Sequence, residues 1–372
     1  VADPYFSASK LEWMFTEGGV ERSDDLAVGT IDSWLLWNLT GGAVHATDDT
    51  NASRTMLYDL VSGDWSDDLC NLFGVPRAAL PEILASSGRF GTVAPGWGLP
   101  EGTPISGIAG DQQASLFGQA CFEPGMTKNT YGTGSFVLMN VGTERPDAVE
   151  GLITTTAWSL PDGAGGRRVT YALEGSIFVT GAGIQWLRDG LGIIDEAAEV
   201  GSLAESVSDT DGVVVVPAFT GLGSPWWDPY ARGTMLGITR GTTKAHLARA
   251  VLESIAYQTR DVVDAMTNAS GTPLAELRVD GGASAADLLV RIQADQLGVP
   301  VRRSRERETT AQGAAFLAGL AEGFWDSLDD VAAAWASDAT FEADGDATVI
   351  EANYRRWLEA VERSRGWDRP LA

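Results

Sequence analysis

Strand-like and helix-like segments alternate between residues 123 and 323, and this alternation constrains the fold more than any other feature of the sequence. Residues 136–141 and 213–216 are apolar runs typical of buried strands. Residues 277–280 form a third such run, followed by Gly281-Gly282 and by a helical pattern over residues 284–297. Alternating β and α elements predict a layered α/β fold.

The segment before this region, residues 1–122, mixes both kinds of element. Residues 29–39 are apolar at helical spacing, with Asp32 or Ser33 as the expected N-cap and Gly41-Gly42 as the expected end. Residues 51–56 predict a loop, and Pro76 and Pro81 bracket a predicted short helix.

The segment after it, residues 324–372, predicts two polar-faced helices, over residues 327–336 and 351–363. We therefore divide the chain into a first domain over residues 1–122, a second over residues 123–323, and a helical extension of the second over residues 324–372. No low-complexity linker separates the three segments, so we expect them to pack closely.

The charge balance excludes one class of partner. The chain carries 51 Asp and Glu against 26 Lys and Arg, for a net charge of −25. Such a surface would repel a phosphate backbone, so we expect no nucleic acid partner. The acidic residues are spread along the chain, which suits a cytoplasm of high salt where self-repulsion is screened. We therefore expect a halophilic source.

Cysteine usage and hydropathy indicate a cytoplasmic location. The two cysteines, Cys70 and Cys121, form no CxxC motif, which argues against a disulfide framework and against a structural zinc site. That usage fits a reducing, intracellular compartment. The apolar stretches are shorter than the roughly 18 residues that a membrane span requires, so we predict none.

One carboxylate, Asp111, follows a small apolar strand-like run and opens a helical pattern, in the sequence ISGIAGDQQASLFG at residues 105–118. This places it at the carboxyl end of a strand, where open α/β sheets bind ligands. There it could accept a proton from a substrate hydroxyl. The alternative is that Asp111 merely caps the helix, and this pattern alone does not decide between the two.

Three glycine-rich turns could contact a nucleotide. The turn Gly132-Thr133-Gly134 offers free backbone N–H groups and a hydroxyl, although an ordinary hairpin turn has the same composition. Gly181, near a helix start, permits close backbone approach, with Gln185 one turn further on; tight helix packing is the alternative. Gly281-Gly282 joins a strand to a helix, an anion-friendly arrangement. Neither a GxGxxG nor a Walker A motif occurs.

The order and wording of these motifs resemble the FGGY carbohydrate kinases. The matching stretches are GDQQ at 110–113, NTYGTG at 129–134, PAFTGLG at 217–223 and VDGGA at 279–283. Within that family, DPYFS at 3–7, TNASRTML at 50–57 and WWDPYARG at 226–233 look like its glycerol-phosphorylating members. The resemblance covers nearly the whole chain.

The resemblance implies an actin-like, ribonuclease-H-like ATPase fold of two domains with the active site in the cleft between them. It implies phosphorylation of glycerol by ATP, which releases ADP, with Mg²⁺ bridging the phosphates. Asp111 would be the general base, and the remaining roles follow the family's motifs. Glycerol would contact Tyr5, Asp111, Gln112 and Phe136, and the nucleotide would contact Thr133, Gly181, Gln185, Gly282 and Ala286. A homo-oligomer, dimer or tetramer, is also implied.

The sequence departs from the family pattern in two places. Val1 follows no Asp-x-Gly-Thr-Thr phosphate loop, so we expect that the first domain is incomplete and that the chain as printed turns over poorly or not at all. The family often has Asn where Ala286 stands, and Asp287 could substitute for it. Two alternatives therefore stay open: a pentulose (xylulose-type) kinase of the same family, or a catalytically inactive fragment.

Overall fold

The computed structural model describes residues 3–370. The two residues at each end lie outside that range, among them Val1, on which the expectation of a missing N-terminal segment rests. No helix in residues 3–370 is both long and apolar enough to cross a membrane.

The first third of the chain is built from short elements around three two-stranded sheets. The sheets pair β1 with β4 in parallel, β2 with β3 antiparallel, and β5 with β6 antiparallel. In chain order the elements are α1 (Ser7–Thr16), α2 (Ile31–Leu39), β1 (Ala46–Asp48), α3 (Asp49–Ala52), β2 (Tyr58–Asp59), β3 (Asp64–Trp65), α4 (Asp67–Phe73), a 3₁₀ turn (Arg77–Ala79), β4 (Glu82–Leu84), β5 (Ser87–Thr92), β6 (Pro104–Gly107) and α5 (Asp111–Gly118).

The rest of the chain is organised by one mixed sheet of seven strands, in the order β15-β14-β13-β7-β8-β10-β9. β11 and β12 form a separate two-stranded sheet. In chain order the elements of this part of the chain are β7 (Met126–Tyr131), β8 (Ser135–Gly142), β9 (Ile153–Pro161), β10 (Arg167–Ile177), α6 (Gly181–Gln185), α7 (Glu199–Glu205), β11 (Val214–Val216), β12 (Thr234–Leu236), α8 (Lys244–Ser270), β13 (Glu276–Asp280), α9 (Asp287–Leu297), β14 (Val301–Ser304), α10 (Thr309–Ala321), α11 (Leu328–Ala334), β15 (Ser337–Phe341) and α12 (Ala347–Ser364).

Helices cover both faces of this sheet, as its apolar strands require. On one face, α8 and α9 pack on Val137, Met139 and Val279. On the other, α5 and α10 pack on Leu138 and Ala172. The longest helix, α8, starts at a capping box formed by Thr243 and His246 and ends at Gly271, whose φ of +68° suits a glycine C-cap. The α/β layering predicted from the sequence is therefore confirmed.

Most predicted elements are present, and the deviations have local causes. The helix at 29–39 begins at Ile31 with Thr30 as N-cap, so the predicted caps Asp32 and Ser33 are wrong; the Asp32 carboxylate instead accepts hydrogen bonds from the hydroxyls of Thr30 and Thr47. The predicted loop at 51–56 starts inside α3, because the Asp48 carboxylate accepts two backbone N–H groups of that helix.

Three predicted helices differ in extent from the observed ones. The helix predicted over 284–297 is a 3₁₀ turn (Gly282–Ala285) followed by α9. The two helices predicted after residue 324 are α11 and α12, and the edge strand β15 between them was not predicted. That strand, SDATF, is mostly polar and pairs with β14 at the edge of the sheet, so it lacks the apolar run that marks a buried strand.

Candidate active site

The five residues expected at a nucleotide lie together in one cleft. Its walls come from the turn after β7, the first turn of α6 and the segment after β13, and its volume is about 410 Å³. The expected residues that line it are Thr133, Gly181, Gln185, Gly282 and Ala286. Segments about 150 residues apart in the sequence therefore meet at the ends of two neighbouring strands, since β7 and β13 are parallel neighbours.

Close backbone packing explains the glycine at the start of α6. The N–H of Gly181 donates to the carbonyl of Gly132 at 2.9 Å, and the N–H groups of Thr180 and Ala182 donate to the carbonyl of Thr133 at 2.9 and 3.0 Å. A Cβ on Gly181 would lie 2.6 Å from the Gly132 oxygen. Gly282 differs, because a Cβ there would meet no atom within 4 Å. One glycine is required by the fold, and the other keeps the cleft open.

The position four residues after Gly282 brings no polar side chain to the cleft. Ala286 lines it, while the carboxylate of Asp287 is paired with Arg303 at 2.8 Å. The Asp287 carboxylate is therefore bound to Arg303 of β14, whereas the sequence had suggested that it could replace the family's Asn at the nucleotide.

A second cavity, of about 480 Å³, lies on the other side of the same turn. Tyr5 and Phe136 line it, as expected, together with Gly134, Glu174 and Trp227. Its volume falls within the range typical of small-molecule pockets and leaves more room than a three-carbon polyol needs.

An ion pair fixes the wall of this second cavity. The guanidinium of Arg54 donates two hydrogen bonds to the carboxylate of Glu174, at 2.9 and 3.0 Å, and both side chains are largely buried. The same guanidinium lies over the rings of Tyr5 and Phe6, at 5.3 and 5.1 Å from their centroids. Arg54 therefore ties Tyr5 to strand β10.

Asp111 is the first residue of α5 and is exposed. The N-cap is Gly110, and among the residues that the structure describes the Asp111 carboxylate accepts only the adjacent N–H of Gln112, at 2.8 Å. Asp111 therefore does not cap the helix, which was the alternative interpretation. Within residues 3–370, neither Asp111 nor Gln112 lines the two cavities described above.

A buried network holds the backbone just before Asp111. The N–H of Gly110 donates to the hydroxyl of Thr50 at 2.7 Å, and that hydroxyl donates in turn to the Asp48 carboxylate. Ser86 and Asn51 also donate to this carboxylate, at 2.6 and 2.8 Å. Burial raises the pKa of Asp48 to about 6, although its hydrogen bonds act in the opposite direction.

Sequence reasoning missed the polar residues behind the site. Lys128 on β7 is fully buried and donates to the carboxamide oxygen of Gln112. Asp48, Arg54 and Glu174 were missed in the same way. For Glu174 the available signal was a charged residue beside apolar residues of a strand, since such groups are buried only with partners. Lys128 gave no such signal, because its strand has the largely polar sequence MTKNTY.

The fold and the site define a class of protein: an α/β protein with a glycine-lined cleft at the ends of parallel strands and an exposed carboxylate at the start of helix α5. Comparisons with known proteins agree. Residues 1–118 match the N-terminal domain of the FGGY family of carbohydrate kinases, and residues 127–322 match its C-terminal domain. The chain belongs to the FGGY family of carbohydrate kinases.

Two relatives illustrate the similarity of sequence. The glycerol kinase of Bordetella parapertussis is 57% identical over 100% of this chain and 74% of its own length. The glycerol kinase of Deinococcus radiodurans is 54% identical over 99% of this chain and 73% of its own length.

Solved structures agree with the fold. Glycerol kinase of Plasmodium falciparum with ADP superposes with a TM-score of 0.91 at 37% identity, covering 97% of this chain and 72% of that one. A xylulose kinase from Lactobacillus acidophilus has a TM-score of 0.84 at 20% identity, covering 95% and 71%, which shows the fold alone. The expected two-domain, actin-like α/β fold is thereby confirmed.

Proposed function

We propose that this protein transfers the γ-phosphoryl group of ATP to glycerol, giving sn-glycerol 3-phosphate and ADP. The relatives that are 57% and 54% identical to it are glycerol kinases. One observation of the structure carries the proposal: a single turn, residues 132–134, separates a glycine-lined cleft from a cavity lined by Tyr5 and Phe136. Ligands bound in the cleft and in the cavity would therefore lie next to each other, on either side of this turn.

The cleft suits a nucleotide. Backbone N–H groups and the Thr133 hydroxyl can contact phosphate oxygens, and the open space at Gly282 admits a ligand against the backbone. We assign nucleotide contacts to Thr133, Gly181, Gln185, Gly282 and Ala286.

Mg²⁺ fits this site as an ion carried mainly by the phosphates, because magnesium usually binds through one or two carboxylates plus phosphate oxygens. The carboxylate Oδ1 of Asp280, next to the cleft glycines, is buried and has no hydrogen-bond partner within residues 3–370. The donor chemistry therefore suits a cation. When bound, the ion supplies charge neutralisation for phosphoryl transfer.

The chain's own residues then divide the work. Asp111 accepts the proton of a terminal glycerol hydroxyl while the oxygen of that hydroxyl forms a bond to the γ-phosphorus. At the same time the bond from the γ-phosphorus to the ADP oxygen breaks. Tyr5 and Gln112 bind glycerol hydroxyls, and Phe136 packs on the carbon chain. A movement of the two proposed domains toward each other would be needed to bring Asp111 to the cavity of Tyr5 and Phe136, and such closures are usual in kinases.

We also propose the domain division at residues 122/123 and 323/324, which the family matches at 1–118 and 127–322 support. The two domains would move as units about the segment between α5 and β7. A dimer or tetramer, a cytoplasmic location and a halophilic source remain predictions of the sequence.

The test is coupled ADP release with glycerol, ATP and Mg²⁺ in molar KCl, on protein expressed from the natural reading frame that contains these residues. Asp111→Asn should lower kcat by about 10²–10⁴-fold if Asp111 is the general base. Asp329→Asn is the matched control, since Asp329 is also exposed in the first turn of a helix.

Three results would change the proposal. Near-normal turnover of Asp111→Asn would remove the base from its role. A specificity constant at least about tenfold higher for a pentulose than for glycerol would favour the sister kinase, which the wide cavity could accommodate. A folded protein that is silent with every polyol and ketose would favour the inactive alternative.

A further inference from the structure

A lysine lies in the middle of the seven-stranded sheet, on the face that α5 covers. Lys128 is opposite Leu138 of β8, and Leu138 is opposite Glu174 of β10, so the three side chains form one row. On its other side Lys128 is opposite Arg278 of β13. Lys128 and Glu174 are fully buried.

The ammonium group is held by uncharged partners. Its Nζ donates to the carboxamide Oε1 of Gln112 and, at 3.1 Å, to the hydroxyl of Thr130. Burial lowers the pKa of Lys128, while the carboxylates of Asp280, Glu174 and Asp111 act to raise it. A buried ammonium is costly to keep, so its contact with the first turn of α5 calls for a functional reason.

We propose that Lys128 is a positioning residue that fixes the orientation of the Gln112 carboxamide, so that its NH₂ group faces the substrate. This inference rests on the proposed function and deepens it. An ammonium group has three donors and no acceptor, whereas a carboxamide has an acceptor end and a donor end. Lys128 therefore binds the oxygen end, and the donor end is left for a ligand.

The consequence is a pair of groups of opposite hydrogen-bonding character at the start of α5. Asp111 presents an acceptor and Gln112 a donor at consecutive positions. A vicinal diol matches this pair, because one hydroxyl donates to the carboxylate while the neighbouring hydroxyl oxygen accepts from the amide. A ligand with an ammonium in place of the second hydroxyl has no lone pair to offer and should be rejected.

The experiment is a double-mutant cycle on the intact protein, with glycerol KM and kcat measured for the wild type, Lys128→Met, Gln112→Ala and the double variant. Methionine keeps the length of the side chain and removes the charge. Lys128→Met should raise glycerol KM by about 5–20-fold, as expected for one hydrogen bond to a substrate. The KM for ATP should stay within about twofold of wild type, since Lys128 would act on the polyol alone.

The coupling between the substitutions at Lys128 and Gln112 tests the proposal. In the Gln112→Ala background, Lys128→Met should change glycerol KM by less than about twofold, because the group through which it acts is gone. An equal factor in both backgrounds would show a general structural effect and overturn the proposal. A Lys128→Met variant with unchanged glycerol KM would do the same.

A second variant keeps the inference testable if Lys128→Met fails to fold. Gln112→Glu retains an acceptor for Lys128 but loses the donor, so it should unfold no earlier than wild type and still have a raised glycerol KM. A wild-type KM in Gln112→Glu would overturn the proposal. If the wild type phosphorylates no polyol, the proposed function fails, and the Lys128–Gln112 contact is then tested by coupling in urea unfolding of the same proteins.

Discussion

The ion pair between Arg54 and Glu174 joins the two proposed domains, and its removal gives a quantitative test of the structure. In Arg54→Met the Glu174 carboxylate, whose side chain is 0% exposed, would keep its burial and lose both of its guanidinium hydrogen bonds. Breaking a buried pair from one side costs about 3–5 kcal/mol. Loss of the contacts with Tyr5 and Phe6 adds about 1 kcal/mol, because these lie at a partly exposed site.

The expected destabilisation is therefore about 4–6 kcal/mol for Arg54→Met. The assay is urea unfolding followed by tryptophan fluorescence and by far-UV circular dichroism, and coincident curves would establish two-state behaviour. Arg363→Met is a matched control. Its partner Glu359 is 3.4 Å away and both side chains are more than half exposed, so a loss of under about 1 kcal/mol is expected.

High salt should affect the buried Arg54–Glu174 pair and the exposed Arg363–Glu359 pair differently. In molar KCl the Arg363 effect should vanish, while the Arg54 effect should persist because the buried pair is poorly screened. The variant Arg54→Met/Glu174→Leu, which removes both charges, should recover much of the lost stability. An Arg54→Met protein as stable as the control, or a double variant no better than the single one, would refute the burial argument.

Two further predictions concern the cleft and the buried carboxylate. Gly181→Ala should lower the unfolding midpoint and raise the KM for ATP, because its Cβ would lie 2.6 Å from a backbone oxygen; Gly282→Ala should raise the KM for ATP with an unchanged midpoint, and equal midpoints for both would contradict this. Because the folded state holds the Asp48 proton more tightly, with a pKa of about 6 against 3.8, the stability it contributes is present below pH 3.8 and lost as pH rises through 6. The unfolding free energy of wild type relative to Asp48→Asn should therefore fall by on the order of 3 kcal/mol between pH 4 and 7, and a constant difference would refute it.

The glycine turns of the proposed nucleotide cleft could be located in the sequence because backbone geometry demands glycine at some of these positions. Gly181 is required by contact with the Gly132 carbonyl, and Gly281 has a φ of +85° that other residues rarely adopt. Local patterns therefore located the glycine turns of the cleft, but they did not locate the wall formed by Ala197, Ala198 and Val200. The local pattern allowed either a hairpin turn or a ligand site at residues 132–134. The two are compatible, because this turn joins β7 to β8 and also lines the cleft.

The polar network behind the site could not be predicted, because it depends on register between distant segments. Arg54 and Glu174 are 120 residues apart, and Lys128 meets Gln112 only because β7 runs beneath the first turn of α5. A buried lysine or glutamate in a strand must have a partner, but the sequence around it does not show which residue that partner is.

The β7–β8 hairpin explains how one rigid element can serve both proposed ligands. Thr133 faces the cleft, and the next residue, Gly134, lines the cavity of Tyr5 and Phe136. A Cβ on Gly134 would lie 2.3 Å from the carbonyl oxygen of Ile177, so the turn is locked against β10. Lys128 lies on the same hairpin and reaches α5. Phosphoryl transfer depends on holding the reacting atoms about 3–3.5 Å apart and aligned. A hairpin that contacts the cleft, the cavity and the first turn of α5 can position both ligands with a single packed element.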